Sequence, residues 1–185
     1  MTHLIELYGA MLVKAIFVHL AYVLVSVAAA TVVALLLGVL LSRAPRIAGL
    51  VMPVISIFQT IPGIVFIGIL YLYLGMVPVT AFTALAIYAI FPILKNTYAG
   101  LLGVEEKYKE AARGCGMNAR QILFKVELPL AMPTIFAGIR MSTVYTVSWA
   151  VLTAMIGLGG LGEFVYRGVS TNNSTLTVIG AVPAA

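Results

Sequence analysis

Charged side chains are scarce in this chain, and the scarcity indicates its class. Only 9% of the 185 residues are charged, whereas 62% are hydrophobic and the mean hydropathy is +1.11. A soluble domain carries charge on roughly a quarter of its residues. The composition therefore excludes an ordinary soluble protein and predicts an integral membrane protein in contact with lipid.

Cysteine is nearly absent and aspartate is wholly absent. Cys115 is the sole cysteine, which excludes a disulfide framework and a cysteine-based metal cluster. His19 has no Cys, Asp or second His at ligand spacing, so we interpret it as a packing or interface residue. None of the acidic residues is expected to form the buried intramembrane pair of a proton-driven carrier. These six acidic residues are Glu6, Glu105, Glu106, Glu110, Glu127 and Glu163.

Nucleotide-binding motifs are also missing. Without a GxxxxGK[ST] phosphate loop, the chain is not expected to bind ATP or any other cofactor, or to be an enzyme. Residues 157–162 spell GxGxxG, but they follow an apolar helix instead of a strand. We interpret them as an external turn. The net charge is +5, but the basic residues do not form the stripes of nucleic-acid-binding folds, and the sequence shows none of their aromatic platforms. No nucleic acid partner is therefore expected.

Long hydrophobic runs predict an all-α fold with about five transmembrane helices. A hydrocarbon core of about 30 Å requires roughly 20 helical residues. The second and third runs should form a hairpin around Gly75 and Pro78, and Pro133 should precede the fourth helix. The last run spans roughly 15 Å, so it is expected to be an incomplete span. The five runs cover residues 15–41, 47–74, 77–94, 134–156 and 175–185.

The distribution of Lys and Arg predicts the orientation. With the loop around Glu110 in the cytoplasm, only Lys14 and Arg167 lie outside. The N-terminus, the turn at Gly75 and the connection 157–173 are then external. The basic residues at the inner face are Arg43, Arg46, Lys95, Lys107, Lys109, Arg113, Arg120, Lys125 and Arg140.

About half of the charged residues lie in residues 105–127, which must therefore stand in water. Residues 104–113 have the composition of a helix with acids first and bases later. Gly114 and Gly116 should end that helix. Asn118 and Gln121 predict a capping box that starts a second short helix, which Pro129 should stop. The segment should form a helix, a sharp turn and a second helix.

The residue pattern of this segment resembles the EAA loop of permease subunits of ABC importers. That loop is written as EAA, three residues, G, nine residues, an aliphatic residue, any residue and LP. Its aliphatic position is more often Ile, whereas this chain has Val. The resemblance implies a type I ABC importer fold, similar to MetI, over residues 15–185, with an external segment at 1–14 and a cytoplasmic coupling loop at 96–132. The matching residues are Glu110, Ala111, Ala112, Gly116, Val126, Leu128 and Pro129.

The resemblance also implies partners and roles. The loop would dock on a separate ATP-binding subunit that holds ATP and Mg, with Glu110 in polar contact, Ala111 and Ala112 allowing close approach, and Gly116 making the turn. A second permease subunit, identical or different, and an extracytoplasmic binding protein or domain would complete the importer. The alternative interpretation is a basic inner loop that binds lipid headgroups.

Two groups of residues are candidates for a translocation path. Pro62 is expected to kink the second helix at membrane depth, and the polar residues Gln59 and Thr60 lie just before it. These three residues could line the path or pack against another helix. Tyr145 and Trp149 could attract a quaternary ammonium group through their aromatic faces. Packing or interfacial anchoring is the alternative for both aromatic residues.

The sequence QTIP at residues 59–62 also resembles osmoprotectant-type permeases. It implies import of a small quaternary-ammonium or zwitterionic solute such as glycine betaine, carnitine, choline or proline. A permease for methionine or another betaine-like solute is an alternative of the same class. A passive channel or secondary carrier is the alternative from another class, in which the charged loop would be regulatory.

Overall fold

A computed structural model describes the backbone of residues 2–185 and the side chains of residues 8–185. Every regular element in this part of the chain is helical, which confirms the all-α prediction. The α-helices are α1 (Thr2–Arg43), α2 (Pro45–Phe58), α3 (Gly63–Leu74), α4 (Pro78–Leu102), α5 (Glu106–Gly114), α6 (Ala119–Ile122), α7 (Leu128–Ala150), α8 (Gly162–Ser170) and α9 (Ser174–Ala184). A π-helical turn (Leu123–Glu127) joins α6 to α7, and a 3₁₀ segment (Val151–Ile156) extends α7.

Helices α1, α4 and α7 form the central bundle, and small residues let them approach closely. A Cβ atom at Gly38 of α1 would lie 2.6 Å from Cγ2 of Thr97 in α4. A Cβ at Gly138 of α7 would lie 2.6 Å from Cβ of Asn96. Ala30 and Ala34 of α1 are fully buried in the same core. Small residues have this role between helices in lipid, where close van der Waals packing replaces the hydrophobic drive of water.

The second hydrophobic run does not form the single helix predicted for residues 47–74. It breaks into α2 and α3, whose axes differ by 91°. Pro62 lacks a backbone N–H and disfavours helical geometry at Ile61, so the helix cannot continue through them. Thr60 Oγ1 donates to Ile57 O at 2.7 Å and closes the turn that ends α2. The sequence predicted a kink at this proline, and the structure has a full break.

The fourth helix begins earlier than predicted, and Pro129 does not stop the helix before it. The chain is helical from Ala119 through Ile156, with Pro129 in the first turn of α7 and Pro133 inside it. The π turn lets the N–H of Leu128 bond the carbonyl of Leu123. The wider turn changes the backbone register just before Pro129, so the proline ring is accommodated without ending the helix.

Other helix ends also differ from the predicted limits. Helix α1 extends back to Thr2. Helix α4 continues past residue 94 to Leu102, because a helix need not end where the apolar run is interrupted by polar residues. Helix α8 was not predicted within the connection 157–173. Together with α9, it packs against the N-terminal half of α1 around Ala15, Leu161 and Leu176.

The lengths of the helices bear on how many cross the membrane. Tyr8–Arg43, Pro78–Leu102 and Ala119–Ile156 are long and apolar enough to span, and the bent α2–α3 pair makes a fourth candidate. Helix α9 covers 11 residues, or about 16 Å at 1.5 Å per residue, which is about half the thickness of a hydrocarbon core.

Candidate functional site

The segment from α5 to the π turn, residues 105–127, folds as a helix, a tight turn and a second helix; we call it the coupling segment. Helix α5 ends in a Schellman motif: Met117 N donates to Ala112 O at 3.1 Å and Gly116 N donates to Arg113 O at 2.9 Å. Gly116 has φ +77° and supplies the left-handed residue of the motif, whereas Gly114 is the last residue of α5. The reversal of the chain therefore depends on Gly116.

Helix α6 begins with the capping box that the sequence predicted. Asn118 Oδ1 accepts from Gln121 N at 3.0 Å, and Gln121 Oε1 accepts from Asn118 N at 2.8 Å. The reciprocal bonds satisfy two donors at the helix start. They fix the direction in which the chain leaves the turn.

The residues of the EAA pattern differ in their exposure. Glu110, Ala111 and Gly116 are exposed, so a partner could reach them directly. Ala112 is buried, and it therefore packs the segment against its own protein. Leu128 is half-buried and Pro129 is exposed at the start of α7.

Helix α5 carries its own network of charges. Lys109 Nζ lies 2.9 Å from Glu106 Oε2, and Arg113 Nη1 donates to Glu106 Oε1 at 2.8 Å. The hydrogen bond from Lys109, followed by that from Arg113, lowers the pKa of Glu106 below its ordinary value. Glu110 has no ion-pair partner among residues 8–185. Its carboxylate is therefore available for a contact outside this chain.

Sequence reasoning missed one ion pair at the membrane end of this segment. The side chain of Glu127 is only 4% exposed, and Arg43 holds it in an ion pair. The partners are 84 residues apart in the chain, and no local pattern connects them. The packing of α1 beside α7 brings them together.

The break between α2 and α3 lies within a cluster of aromatic rings formed by Phe58, Phe66, Tyr88 and Trp149. Each ring in this order makes an edge-to-face contact with the next, with centroids 5.8, 5.2 and 3.7 Å apart. Tyr88 Oη also donates to Ile61 O at 2.6 Å. That bond satisfies a carbonyl that the break releases from helical pairing, as membrane depth requires.

Three of the five residues predicted for a translocation path line one small cavity. Gln59, Tyr145 and Trp149 surround a space of about 20 Å³, together with Tyr88 and Ser142. Gln59 also lines a larger, mainly apolar groove of about 220 Å³ between α2 and α4. Gln59 and Tyr88 therefore line both spaces.

The other two predicted path residues have local structural roles. Thr60 is exposed and its hydroxyl bonds Ile57 O, while Pro62 precedes the first residue of α3. Neither lines the small cavity. Together they shape the break that positions Gln59.

Comparison with known proteins assigns the family. The family described as "Binding-protein-dependent transport system inner membrane component" matches residues 30–185. The chain belongs to this family. The permease is also 39% identical over 168 residues to the Carnitine transport permease protein OpuCB of Listeria monocytogenes, covering 91% of the permease and 75% of that relative. It is 38% identical over 175 residues to the Choline transport system permease protein OpuBB of Bacillus subtilis, covering 95% of the permease and 81% of that relative.

A solved structure gives the same fold. The permease is similar to a chain of the inward-facing MetNI methionine ABC transporter, with a TM-score of 0.82, 25% identity, and coverage of 97% of the permease and 92% of that chain. The resemblance to ABC importer permeases and the predicted MetI-like fold are therefore confirmed. The permease is an inner membrane component of an ABC importer.

Proposed function

We propose that this permease imports a small quaternary-ammonium or zwitterionic solute, such as glycine betaine, carnitine, choline or proline, and that the coupling segment drives it. The observation that carries the proposal is the geometry of that segment. A Schellman turn at Gly116 and a capped second helix form a compact projection with Glu110 and Ala111 exposed. A separate subunit that binds ATP and Mg docks on this projection and supplies the energy.

The substrate class comes from two independent lines of support. Relatives at 38 and 39% identity are named for choline and carnitine transport. Within the permease, Gln59, Tyr145 and Trp149 line a common space, and Tyr88 lies beside them. Aromatic faces attract a quaternary ammonium group, while a carboxamide can hydrogen-bond a carboxylate. These residues therefore offer groups for both ends of a betaine, and the space between them, about 20 Å³ and room for about one water, must widen to admit the solute.

The orientation that the proposal requires follows from charge. Residues 105–127 and the ends of α1 and α4 carry most of the basic residues, which favours the cytoplasmic side for that end of the bundle. The N-terminus and the glycine-rich turn at 157–160 are then external. A binding protein or domain delivers the solute at that face, and a second permease subunit completes the path.

The experiment that tests the proposal measures transport and ATP hydrolysis together. The permease is reconstituted in proteoliposomes with its ATP-binding subunit and binding protein, and uptake of labelled glycine betaine, carnitine, choline and proline is compared with that of methionine. The variants Glu110→Trp and Gly116→Val should lower ATP-driven uptake roughly tenfold or more, as loss of a central contact does in other interfaces. Gly49→Ala is the matched control, because a Cβ there meets nothing within 4 Å.

The outcomes separate the proposal from its competitors. Uptake of a betaine-like solute that requires ATP and is lost in both variants supports it. Uptake of methionine alone would favour the second candidate, for which the similarity to the MetNI fold is the supporting observation. Uptake that continues without ATP, or is unchanged in both variants, would favour a channel or secondary carrier and contradict the docking role.

A further inference from the structure

The ion pair between Arg43 and Glu127 joins two parts of the permease that are distant in sequence. Arg43 Nη1 donates to Glu127 Oε1 at 3.1 Å, and Nη2 donates to Oε2. Two parallel bonds of this kind fix the relative orientation of both groups as well as their distance. Glu127 is only 4% exposed, whereas Arg43 is 51% exposed. The carboxylate is thus held inside the protein by a guanidinium group that reaches it from the surface.

A contribution to stability does not by itself account for such a pair. Removing a carboxylate from water costs free energy that the ionic attraction offsets only in part, and apolar residues of similar size often serve as well. Breaking the pair by removing one partner is costly, because a buried charge is then left alone. Because the pair is costly to break, it is suited to keeping two helices at a constant distance and angle to each other when one of them is displaced.

The position of Glu127 connects the pair to the coupling segment. Glu127 is the last residue of the π turn, directly before α7, and it occupies the position of the EAA pattern at which any residue is accepted. Single π turns inside longer helices often occur at functional sites. Movement of α5 and α6 therefore reaches Glu127 before it reaches the membrane-spanning part of α7.

The position of Arg43 connects the pair to the break. Arg43 is the last residue of α1, and Pro45 begins α2 after the single non-helical residue Ala44. Helix α2 then runs to Phe58, with Gln59 as its C-cap. Displacement of the α1–α2 corner is therefore carried along one continuous helix to the break that positions Gln59.

We propose that the bidentate pair between Arg43 and Glu127 positions the α1–α2 corner against the coupling segment, so that movement of that segment reaches Gln59 through α2 as well as Trp149 through α7. The inference rests on the proposed function, because it assumes that an ATP-binding subunit moves the coupling segment. One displacement of the coupling segment would then move both sides of the cavity, the side with Gln59 and the side with Trp149. The residues of the pair act through other residues and do not touch the solute.

The test measures the solute taken up per ATP hydrolysed in proteoliposomes that contain the complete transporter. Arg43→Gln and Glu127→Gln should each lower this ratio about three- to tenfold, the range in which residues distant from a ligand change coupling. The double variant should lose no more than the worse single variant, because both changes remove one interaction. Retention of the ATP-binding subunit on the purified permease shows that the variants still assemble.

Two further variants keep the result specific. Arg46→Gln removes a nearby exposed charge that forms no ion pair among residues 8–185, and it should leave the ratio unchanged. Arg43→Lys keeps the charge but replaces the planar fork with a single ammonium group, so it should lower the ratio partway. Arg43→Lys also provides the test if the glutamine variants do not assemble.

The two levels of the proposal fail differently. If the unchanged permease retains no ATP-binding subunit and shows no ATP-driven uptake, the proposed function is wrong. If Glu110→Trp uncouples transport but the assembled Arg43 and Glu127 variants keep the normal ratio, or their losses add independently, only the role of the ion pair is wrong.

Discussion

At the residue scale, Gly114 and Gly116 have opposite backbone requirements although they are two positions apart. Gly114 lies in α5 with helical geometry, and a Cβ there meets nothing within 4 Å. Gly116 also has open space, but its φ of +77° is unfavourable for any residue with a Cβ. Comparing substitutions at the two glycines therefore separates the effect of backbone conformation on stability from the effect of packing.

We therefore predict that Gly116→Ala destabilises the coupling segment by about 1–2 kcal/mol, the cost of placing a residue with a Cβ in the left-handed region. Gly114→Ala should instead stabilise α5 by up to about 1 kcal/mol, because alanine favours a helix more than glycine does. Hydrogen exchange of the amides in residues 106–122 of the full-length permease measures both effects. Equal protection in the two variants would show that the turn does not require a left-handed residue.

At the element scale, the bond from Tyr88 of α4 to the carbonyl of Ile61 holds the break between α2 and α3. Tyr88→Phe should leave that carbonyl without its donor and cost about 1 kcal/mol or more. We expect faster hydrogen exchange in residues 58–66 and weaker solute uptake, while the ring contacts with Phe66 and Trp149 remain. Tyr71→Phe is the control, since Tyr71 is exposed and forms no side-chain hydrogen bond among residues 8–185. Unchanged exchange near the break would contradict this role.

The accuracy of prediction from sequence differed between elements for physical reasons. The capping box at Asn118 was predictable because its bonds join residues three positions apart. The glycine-rich stretch was correctly interpreted as a turn, since Gly157 has φ +78° and ends the 3₁₀ segment. Both features depend on local backbone chemistry alone.

Features that depend on tertiary contacts were not predictable in the same way. Pro62 indicated a kink, but the 91° break also depends on the donor that Tyr88 supplies from another helix. The pairing of Glu127 with Arg43 required the packing of α1 against α7, which no periodicity specifies. In the candidate path, the sequence named Gln59 and Trp149 but did not identify Tyr88, which lines the same cavity.

At the scale of the whole molecule, the close approach of α4 and α7 stabilises the helix bundle that connects the coupling segment to the cavity around Gln59. A Cβ at Gly138 would lie 3.0 Å from the backbone oxygen of Pro92, in addition to its contact with Asn96. Gly138→Ala should therefore force the two helices apart and cost about 1–3 kcal/mol, as overpacking does in other cores. Gly49→Ala, which meets open space, should leave stability nearly unchanged. Thermal unfolding of the purified permease in detergent distinguishes the two, and equal stability would show that α4 and α7 can separate without cost.

The sidedness and docking of the coupling segment decide whether the bundle works as part of an ATP-driven importer. Cys115 is the sole cysteine of the chain, is exposed, and precedes Gly116 at the turn of that segment. It therefore reports on the docking surface without any substitution. A maleimide that cannot cross membranes is the appropriate reagent.

The most direct measurement is labelling of Cys115 in membrane vesicles of known orientation, with and without the ATP-binding subunit. The account predicts labelling in inside-out vesicles stripped of that subunit, none in right-side-out vesicles, and strong protection when the subunit is added back. Labelling from the outside, or equal labelling in inside-out vesicles with the subunit bound, would contradict it.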